Sequence, residues 1–177
     1  MRAALTFVKE NLKYPLVVAE IGVGDGRHAK EIYDNLNIKR LVLIDIWKIY
    51  FLESKQFHVD YRRFEGITRE TFAGITNVEI IKADSLEVIN NFEDNSFDFI
   101  YIDASHDYKE VKKDIACWYP KVKSGGVLAG HDYIEEWAGT VKAVDEFIAN
   151  SNLTLNFSRN YENGKPDNNF DWWVIKK

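Results

Sequence analysis

Residues 16–27 read LVVAEIGVGDGR. The first six are rich in β-branched and small apolar side chains, and glycines follow at 22, 24 and 26. A short apolar run bounded by turn residues predicts a buried strand over Leu16–Ile21. Glycine at alternate positions lets the backbone turn tightly and approach a ligand with no Cβ in the way. Arg27–Leu36 then reads as a helix, so the stretch is a strand, a glycine turn and a helix in succession.

The same rhythm continues outward. Arg40–Ile46 (RLVLIDI) predicts a second strand and Val78–Ala83 (VEIIKA) a third, followed by a short helix over Ser85–Phe92. Phe97–Ile102 (FDFIYI) predicts a fourth strand. Tyr108, Val111, Ile115 and Trp118 are spaced by three and four, one face of a helix. Gly125–Gly130 (GGVLAG) predicts a fifth strand, and Val141, Val144, Phe147 and Ile148 mark the next helix. Leu153–Phe157 and Asp171–Ile175 are two closing strands with no helix between them. Asn163, Gly164, Pro166 and Asn168 place a long hairpin loop there. Alternation of strand and helix implies an α/β fold, a parallel sheet covered on both faces. The closing hairpin implies one antiparallel strand, with the adjacent Trp172 and Trp173 on opposite faces of it.

One stretch breaks the rhythm. Trp47–Thr76 is longer than a simple crossover helix needs. It carries Trp47, Tyr50, Phe51, Phe57, Tyr61 and Phe64 together with Lys48, Lys55, Arg62 and Arg63. It reads either as an amphipathic helix packed on the domain or as an apolar wall around a ligand or a dimer face. Arg62 and Arg63 suit an acidic or phosphorylated ligand, or a solvated surface.

Composition bounds the classes. The chain has 177 residues, 46% apolar, 29% charged, with a net charge of −5. That is one domain's worth of chain, 1–177, with enough apolar content for a core, and it excludes disordered and collagen-like classes. The negative balance argues against general nucleic-acid binding, which neutralises phosphates. The single cysteine, Cys117, excludes an internal disulfide and favours a reducing compartment. No apolar run reaches the roughly 18 residues of a membrane span, and Lys9 and Glu10 interrupt the start where a signal peptide stays apolar. The expectation is a cytoplasmic protein with no membrane association; a homo-oligomer is compatible.

In open parallel sheets ligands bind outside the carboxyl ends of the strands. Here strand one ends in Glu20, Gly22 and Gly24, strand two in Asp45, strand three in Asp84 and Ser85, strand four in Asp103, and strand five in His131 and Asp132. A carboxylate at position 45, 21 residues after Gly24, can accept hydrogen bonds from the two hydroxyls of a ribose. Charge at converging tips costs desolvation unless something binds there. Each member has a plainer reading. Asp84 or Ser85 can cap the helix that follows, and Asp107 the Tyr108 helix; His28, His58 and His106 taken singly suit surface or structural roles. A dinucleotide is the competing ligand, but G-x-G-x-x-G requires glycine at position 27, which is Arg27. Glu20 and Asp25 would also repel a pyrophosphate while tolerating a sulfonium cation.

These residues resemble the fingerprint of class I S-adenosylmethionine-dependent methyltransferases. The segments YIDASHDYKEVKKDI and SGGVLAGHDY resemble the branch that includes macrocin-type small-molecule O-methyltransferases. The resemblance spans Leu16 to Tyr133. It implies a seven-stranded Rossmann-like sheet in order 3-2-1-4-5-7-6 with the last strand antiparallel. It implies S-adenosylmethionine as cofactor, with Glu20 near the methionine moiety, Gly22 and Gly24 at the close approach, Asp45 on the ribose, Ile46 and Trp47 near the adenine, Asp84 and Ser85 at the adenine amino edge, and Asp103 and His106 beside the sulfonium end. The implied reaction is methyl transfer to a small-molecule acceptor, with an oxygen nucleophile first. Asp103, His131 and Asp132 are the candidate catalytic residues. Relatives hold a divalent metal at such positions, which makes Asp103 and Asp132 candidate ligands. His131 stands where a carboxylate is usual, so a metal-free histidine base is the other reading. An NAD(P)-dependent oxidoreductase and a non-catalytic cofactor-binding module are the alternatives.

Overall fold

A computed structural model describes residues 1–52, 57–158, 161–162, 165–166 and 170–177, and their side chains except at 50–52, 57–59, 161–162 and 165–166. The expected units appear as β1 (Leu16–Ile21), α2 (Arg27–Asn35), β2 (Ile38–Asp45), β5 (Val78–Lys82), β6 (Phe97–Ile102), α5 (Tyr108–Trp118), β7 (Val122–Gly130), α6 (Ala138–Ala149), β8 (Asn156–Phe157) and β11 (Trp172–Ile175). The main sheet runs β5-β2-β1-β6-β7-β11-β8. Counted among its own seven strands this is 3-2-1-4-5-7-6. The β5-β2-β1-β6-β7 pairs are parallel, and β11 is antiparallel to both β7 and β8.

Alternation along each strand builds two cores. From β1, Ala19 and Ile21 face α5 and α6, where Val111, Ile115, Trp118 and Val144 pack with Trp172. Leu16 and Val18 face the other side, against Ala4, Leu5 and Val8 of α1 (Ala3–Asn11) and Ala29 and Ile32 of α2. Full burial of each such side chain stabilises by about 1.5–3 kcal/mol. Trp172 belongs to the first core and Trp173 packs on the second, so the adjacent indoles do take opposite faces of an internal strand.

Several elements differ from the sequence expectation. Helix α1 carries only Ala4, Leu5 and Val8 as its buried stripe, too short a pattern to stand out against Lys9 and Glu10. The predicted Ser85–Phe92 helix is one α turn, α4 (Ser85–Val88), continuing as a 3-10 turn to Asn91. The first closing strand is shorter than Leu153–Phe157. The excess segment is neither one helix nor a plain loop. It is a hairpin of β3 (Ile49–Leu52) and β4 (Phe57–Asp60), then α3 (Arg62–Thr71). The closing loop carries a second small hairpin, β9 (Tyr161–Glu162) with β10 (Lys165–Pro166). Asn163, Gly164 and Asn168 lie outside the described residues, as do Lys55 and the side chain of His58. Among the described residues no helix is long and apolar enough to cross a membrane.

Candidate active site

The glycine turn is held from three sides. Gly22 has φ +85°, and a Cβ there would stand 2.3 Å from the Asp103 carbonyl oxygen. No side chain fits between the tips of β1 and β6. Gly24 is different: a Cβ there would meet nothing within 4 Å, because that face opens on the cleft. Asp45 Oδ2 accepts from the amides of Val23 and Gly24, both at 2.8 Å, and Oδ1 accepts from the Trp47 amide at 2.7 Å. A carboxylate has about four acceptor positions, so one remains for a ligand hydroxyl, not two. The Gly24 carbonyl accepts from Trp47 Nε1 at 2.8 Å and from Thr68 Oγ1 of α3 at 3.1 Å.

That geometry corrects the position of Trp47. It is 1% exposed and does not line the cleft. Its backbone sits in the left-handed region, φ 38°, and the ring turns under the loop where its N–H finds the Gly24 carbonyl. The cleft wall on this side is Ile46 and Lys48, with Tyr61 and Phe64 from the excess segment. Arg62 is ion-paired with Asp60 at 2.8 Å, and Arg63 lies over the Phe64 ring. Neither contact presents the pair of free guanidinium groups that the basic reading of this segment required.

A buried polar network lies beneath the β1 and β6 tips. Glu20 Oε1 contacts His28 Nδ1 at 2.9 Å, while Oε2 is buried with no hydrogen-bond partner. Burial pushes the Glu20 carboxyl well above its usual range, and neighbouring Asp103, Asp45 and Asp25 push the same way against Arg2. Burial holds His28 neutral, down to about 3. Arg2 Nη1 donates to Asp103 Oδ2 at 2.8 Å and to the Tyr101 hydroxyl at 2.7 Å. Tyr101 in turn donates to Asp171 Oδ1 at 2.6 Å. Asp84 caps α4 through the Leu86 amide, as the plainer reading of that residue has it. Ser85 Oγ donates to Asp114 Oδ1 at 2.6 Å. Burial raises Asp114 to about 6 despite that bond. Asp107 occupies the cap position of α5 but makes no side-chain capping bond.

At the β7 tip Asp132 bridges two imidazoles. His106 Nε2 lies 2.6 Å from Oδ2 and His131 Nδ1 lies 2.9 Å from Oδ1. Asp132 has φ 62°, a strained position for a residue with a Cβ. His106 stacks on Trp137 with ring centroids 4.0 Å apart. Burial opposes ionisation of Asp132, but the two imidazoles outweigh it and hold the carboxyl well below its usual range. Burial also opposes charge on His131, yet Asp132 and Asp103 raise its pKa. Asp103, His131 and Asp132 do meet, each placing one donor atom within 4.8 Å of the others. His106 and Asp103 line the cleft, and His131 and Asp132 stand directly beside them.

The donor set does not fit a hard divalent cation. Arg2 already places a positive charge 2.8 Å from Asp103, and both Asp132 oxygens face imidazole nitrogens. Magnesium prefers all-oxygen shells. The cluster of Asp103, His131 and Asp132 is a mixed carboxylate–imidazole set, which suits zinc, iron or nickel better than magnesium.

Glu20, Gly22, Gly24, Asp45, Ile46, Asp84, Ser85, Asp103 and His106 line one open cleft of about 1380 Å³. Single-ligand pockets usually measure about 300–1,000 Å³, and this open cleft, which runs from the strand tips along α2, exceeds that range. The orphaned Glu20 Oε2 and the open face of Gly24 are the features that suit a cationic cofactor lying against this turn. Sequence reasoning missed Arg2, Thr68, Asp114 and Asp171, and the pairing of His106 with Asp132. His106 itself is expected near the cofactor; its bond to Asp132, 26 residues on, has no local signal.

A family model described as a methyltransferase domain matches residues 19–133. An uncharacterised protein of Acanthamoeba polyphaga mimivirus is 27% identical over 154 residues, 82% of this chain and 63% of that protein. An uncharacterised protein of Sinorhizobium fredii is 32% identical over 72 residues, 41% of this chain and 6% of that protein. The chain thus spans less than two thirds of either curated relative. Among solved structures, a precorrin-6y C5,15-methyltransferase from Geobacter metallireducens matches with a TM-score of 0.71 at 17% identity, covering 98% of this chain and 87% of that one. An O-methyltransferase from Bacillus cereus in complex with SAH gives 0.69 at 18%, covering 97% and 78%. An rRNA methylase from Streptococcus thermophilus gives 0.68 at 18%, covering 98% and 93%. The strand order, the glycine turn at the tip of β1 and the match over 19–133 agree, and the chain belongs to the methyltransferase domain family, with the class I fold of S-adenosylmethionine-dependent methyltransferases.

Proposed function

We propose that this chain methylates an oxygen nucleophile on a small molecule, using S-adenosylmethionine, and that it stands near the macrocin-type branch. The observation that carries the reading is the single cleft lined by Glu20, Asp45, Asp84, Asp103 and His106. When bound, the cofactor supplies a methyl group on positively charged sulfur. Glu20, Gly22, Gly24, Asp45, Asp84 and Ser85 are the residues proposed to hold it. The acceptor lies on the side of Tyr61, Phe64 and Trp137, whose rings suit an apolar or aromatic body. The exposed basic groups on and beside α3 support a small acceptor over RNA, because Arg62 pairs with Asp60, and Arg69 of α3 and Lys82 of β5 both pair with Glu65.

Aligning the two reactants and excluding water contributes about 7–11 kcal/mol. The acceptor hydroxyl must also lose a proton. His106 is the residue proposed to take it. With Nε2–H donating to Asp132, Nδ1 keeps its lone pair for the proton. Asp132 stays ionised and stabilises the imidazolium that forms. Such a base contributes roughly a hundred- to ten-thousandfold. This moves the base from His131 to its neighbour on the same carboxylate, because His106 lines the cleft and the His131 Nδ1 is already engaged by Asp132. Asp103 and His131 remain beside it as charge-setting groups.

Titration calorimetry with S-adenosylhomocysteine, followed by turnover with a panel of hydroxyl acceptors, tests the proposal. The expected result is binding of S-adenosylhomocysteine and none of NAD; the reverse sinks the cofactor. His106→Ala is expected to lose about a hundredfold or more in turnover, with S-adenosylhomocysteine affinity little changed. Unchanged turnover in that variant removes the base assignment.

A further inference from the structure

We propose that Arg2 binds the carboxylate at the amino-acid end of the cofactor, making it a residue that distinguishes S-adenosyl ligands that carry this carboxylate from those that have lost it. The inference rests on the cofactor reading above and assigns part of that ligand to a residue outside the matched 19–133 segment.

The cleft wall around the tips of β1 and β6 is acidic: Glu20, Asp25 and Asp103 line it. An anionic ligand group needs a positive partner there. Arg27 is ion-paired with Asp25 and Lys30 with Asp34 along the α2 side of the cleft, and Lys48 lines it on the side of Tyr61 and Phe64. Arg2 is the cation set among the acids. Its Nη1 is engaged by Asp103 and Tyr101, while Nη2 and Nε make no hydrogen bond among the described residues. A guanidinium presents donors in a planar fork that matches a carboxylate.

The group is also held in place before any ligand arrives. The Arg2 carbonyl accepts the Thr6 amide at the start of α1, and the neighbouring Ala4 amide donates to buried Asp171. The guanidinium carbon lies 5.3 Å from the Tyr101 ring centre. Little side-chain freedom is left to lose on binding. Glu20 supplies the complementary half, a buried carboxylate oxygen with no partner in the same cleft. An α-amino acid carries an ammonium and a carboxylate on one carbon; the open Arg2 donors suit the carboxylate, and the unpartnered Glu20 oxygen can accept from the ammonium.

The test compares S-adenosylhomocysteine with its decarboxylated analogue by calorimetry, on wild type, Arg2→Ala and Arg2→Lys. Wild type is expected to prefer the carboxylated ligand by roughly 10- to 100-fold, the worth of hydrogen bonds between charged groups. Arg2→Ala is expected to erase the preference by weakening that ligand alone, and Arg2→Lys to restore part of it. Equal weakening of both ligands makes Arg2 a neutraliser of Asp103 and overturns the assignment, as does an unchanged ratio. The wild-type ratio needs no variant, and a value near one overturns the proposal even if Arg2→Ala fails to fold. Wild type that binds neither ligand removes the cofactor reading, and this inference with it.

Discussion

Glu20 shows how a residue at this cleft is tuned against the fold. It is 1% exposed, one carboxylate oxygen has no partner, and burial drives its pKa well up. The folded state therefore holds the proton more tightly than the unfolded chain. The associated stability is complete below the ordinary value of 4.5 and is lost as pH rises through the raised value. Glu20→Gln keeps a neutral group of the same shape. We expect it to raise the melting temperature at pH 8 more than at pH 5, and to weaken S-adenosylhomocysteine about tenfold or more by removing the negative charge that the ligand's ammonium would pair with and putting an NH2 donor in its place. A variant that binds as tightly as wild type would show that Glu20 does not touch the ligand. Asp114 follows the same sign with a stated value. Its pKa rises from 3.8 to about 6 through burial, so stability falls between those pH values as it ionises. Asp114→Asn keeps an acceptor for Ser85 and should stabilise by about 2–3 kcal/mol at pH 7.5, with little gain at pH 4. Denaturant unfolding at the two pH values measures it, and an equal gain at both contradicts a role for ionisation.

Elements explain which parts of the site are legible in the chain. Strands β1 and β6 match their sequence reading to the residue because both are flanked by turns and buried on both faces. Helix α5 matches because four apolar positions keep one face. Strand β7 begins three residues early, at Val122, which pairs with Phe97 before a register shift and resumed pairing at Val127 with Phe99; Lys123 and Ser124 in between carry no apolar signal. The acids at the tips are legible because each follows an apolar run. The Asp84 cap is legible too, because it is local, on the Leu86 amide; what Asp45 holds is not, since the Val23 and Gly24 amides come from a loop distant in sequence. Helix α3 is the clearest case. Its Thr68 is fully buried and props the glycine turn by donating to the Gly24 carbonyl, and no local pattern marks a threonine for that contact. Thr68→Val keeps the shape and removes the bond. We expect a loss of about 1–2 kcal/mol in stability and weaker S-adenosylhomocysteine binding, because the loop loses one of its two supports while Trp47 keeps the other. Calorimetry that finds stability reduced and affinity unchanged would separate α3 from the site.

Across the whole molecule, the start of α1, the centre of the sheet and the closing strand segment are tied by one side chain. Asp171 is fully buried just before β11, accepting the Ala4 amide at 2.9 Å and the Tyr101 hydroxyl at 2.6 Å. Tyr101 then meets Arg2, and Arg2 meets Asp103 at the cleft. The chain's two ends are thus joined through β6 directly beneath the site, so their order and the site's order are coupled. Asp171→Ala leaves a helix amide and a tyrosine hydroxyl buried without acceptors, each costing about 1–3 kcal/mol. We expect a global loss of about 2–5 kcal/mol with an unchanged denaturant slope, since the sheet still unfolds as a unit. Hydrogen exchange discriminates the alternatives. If the coupling is real, protection falls in α1, β6 and β11 together. If α1 merely frays, exchange rises at residues 3–11 alone and the amides of β6 keep wild-type protection, and the closing segment then does not brace the site.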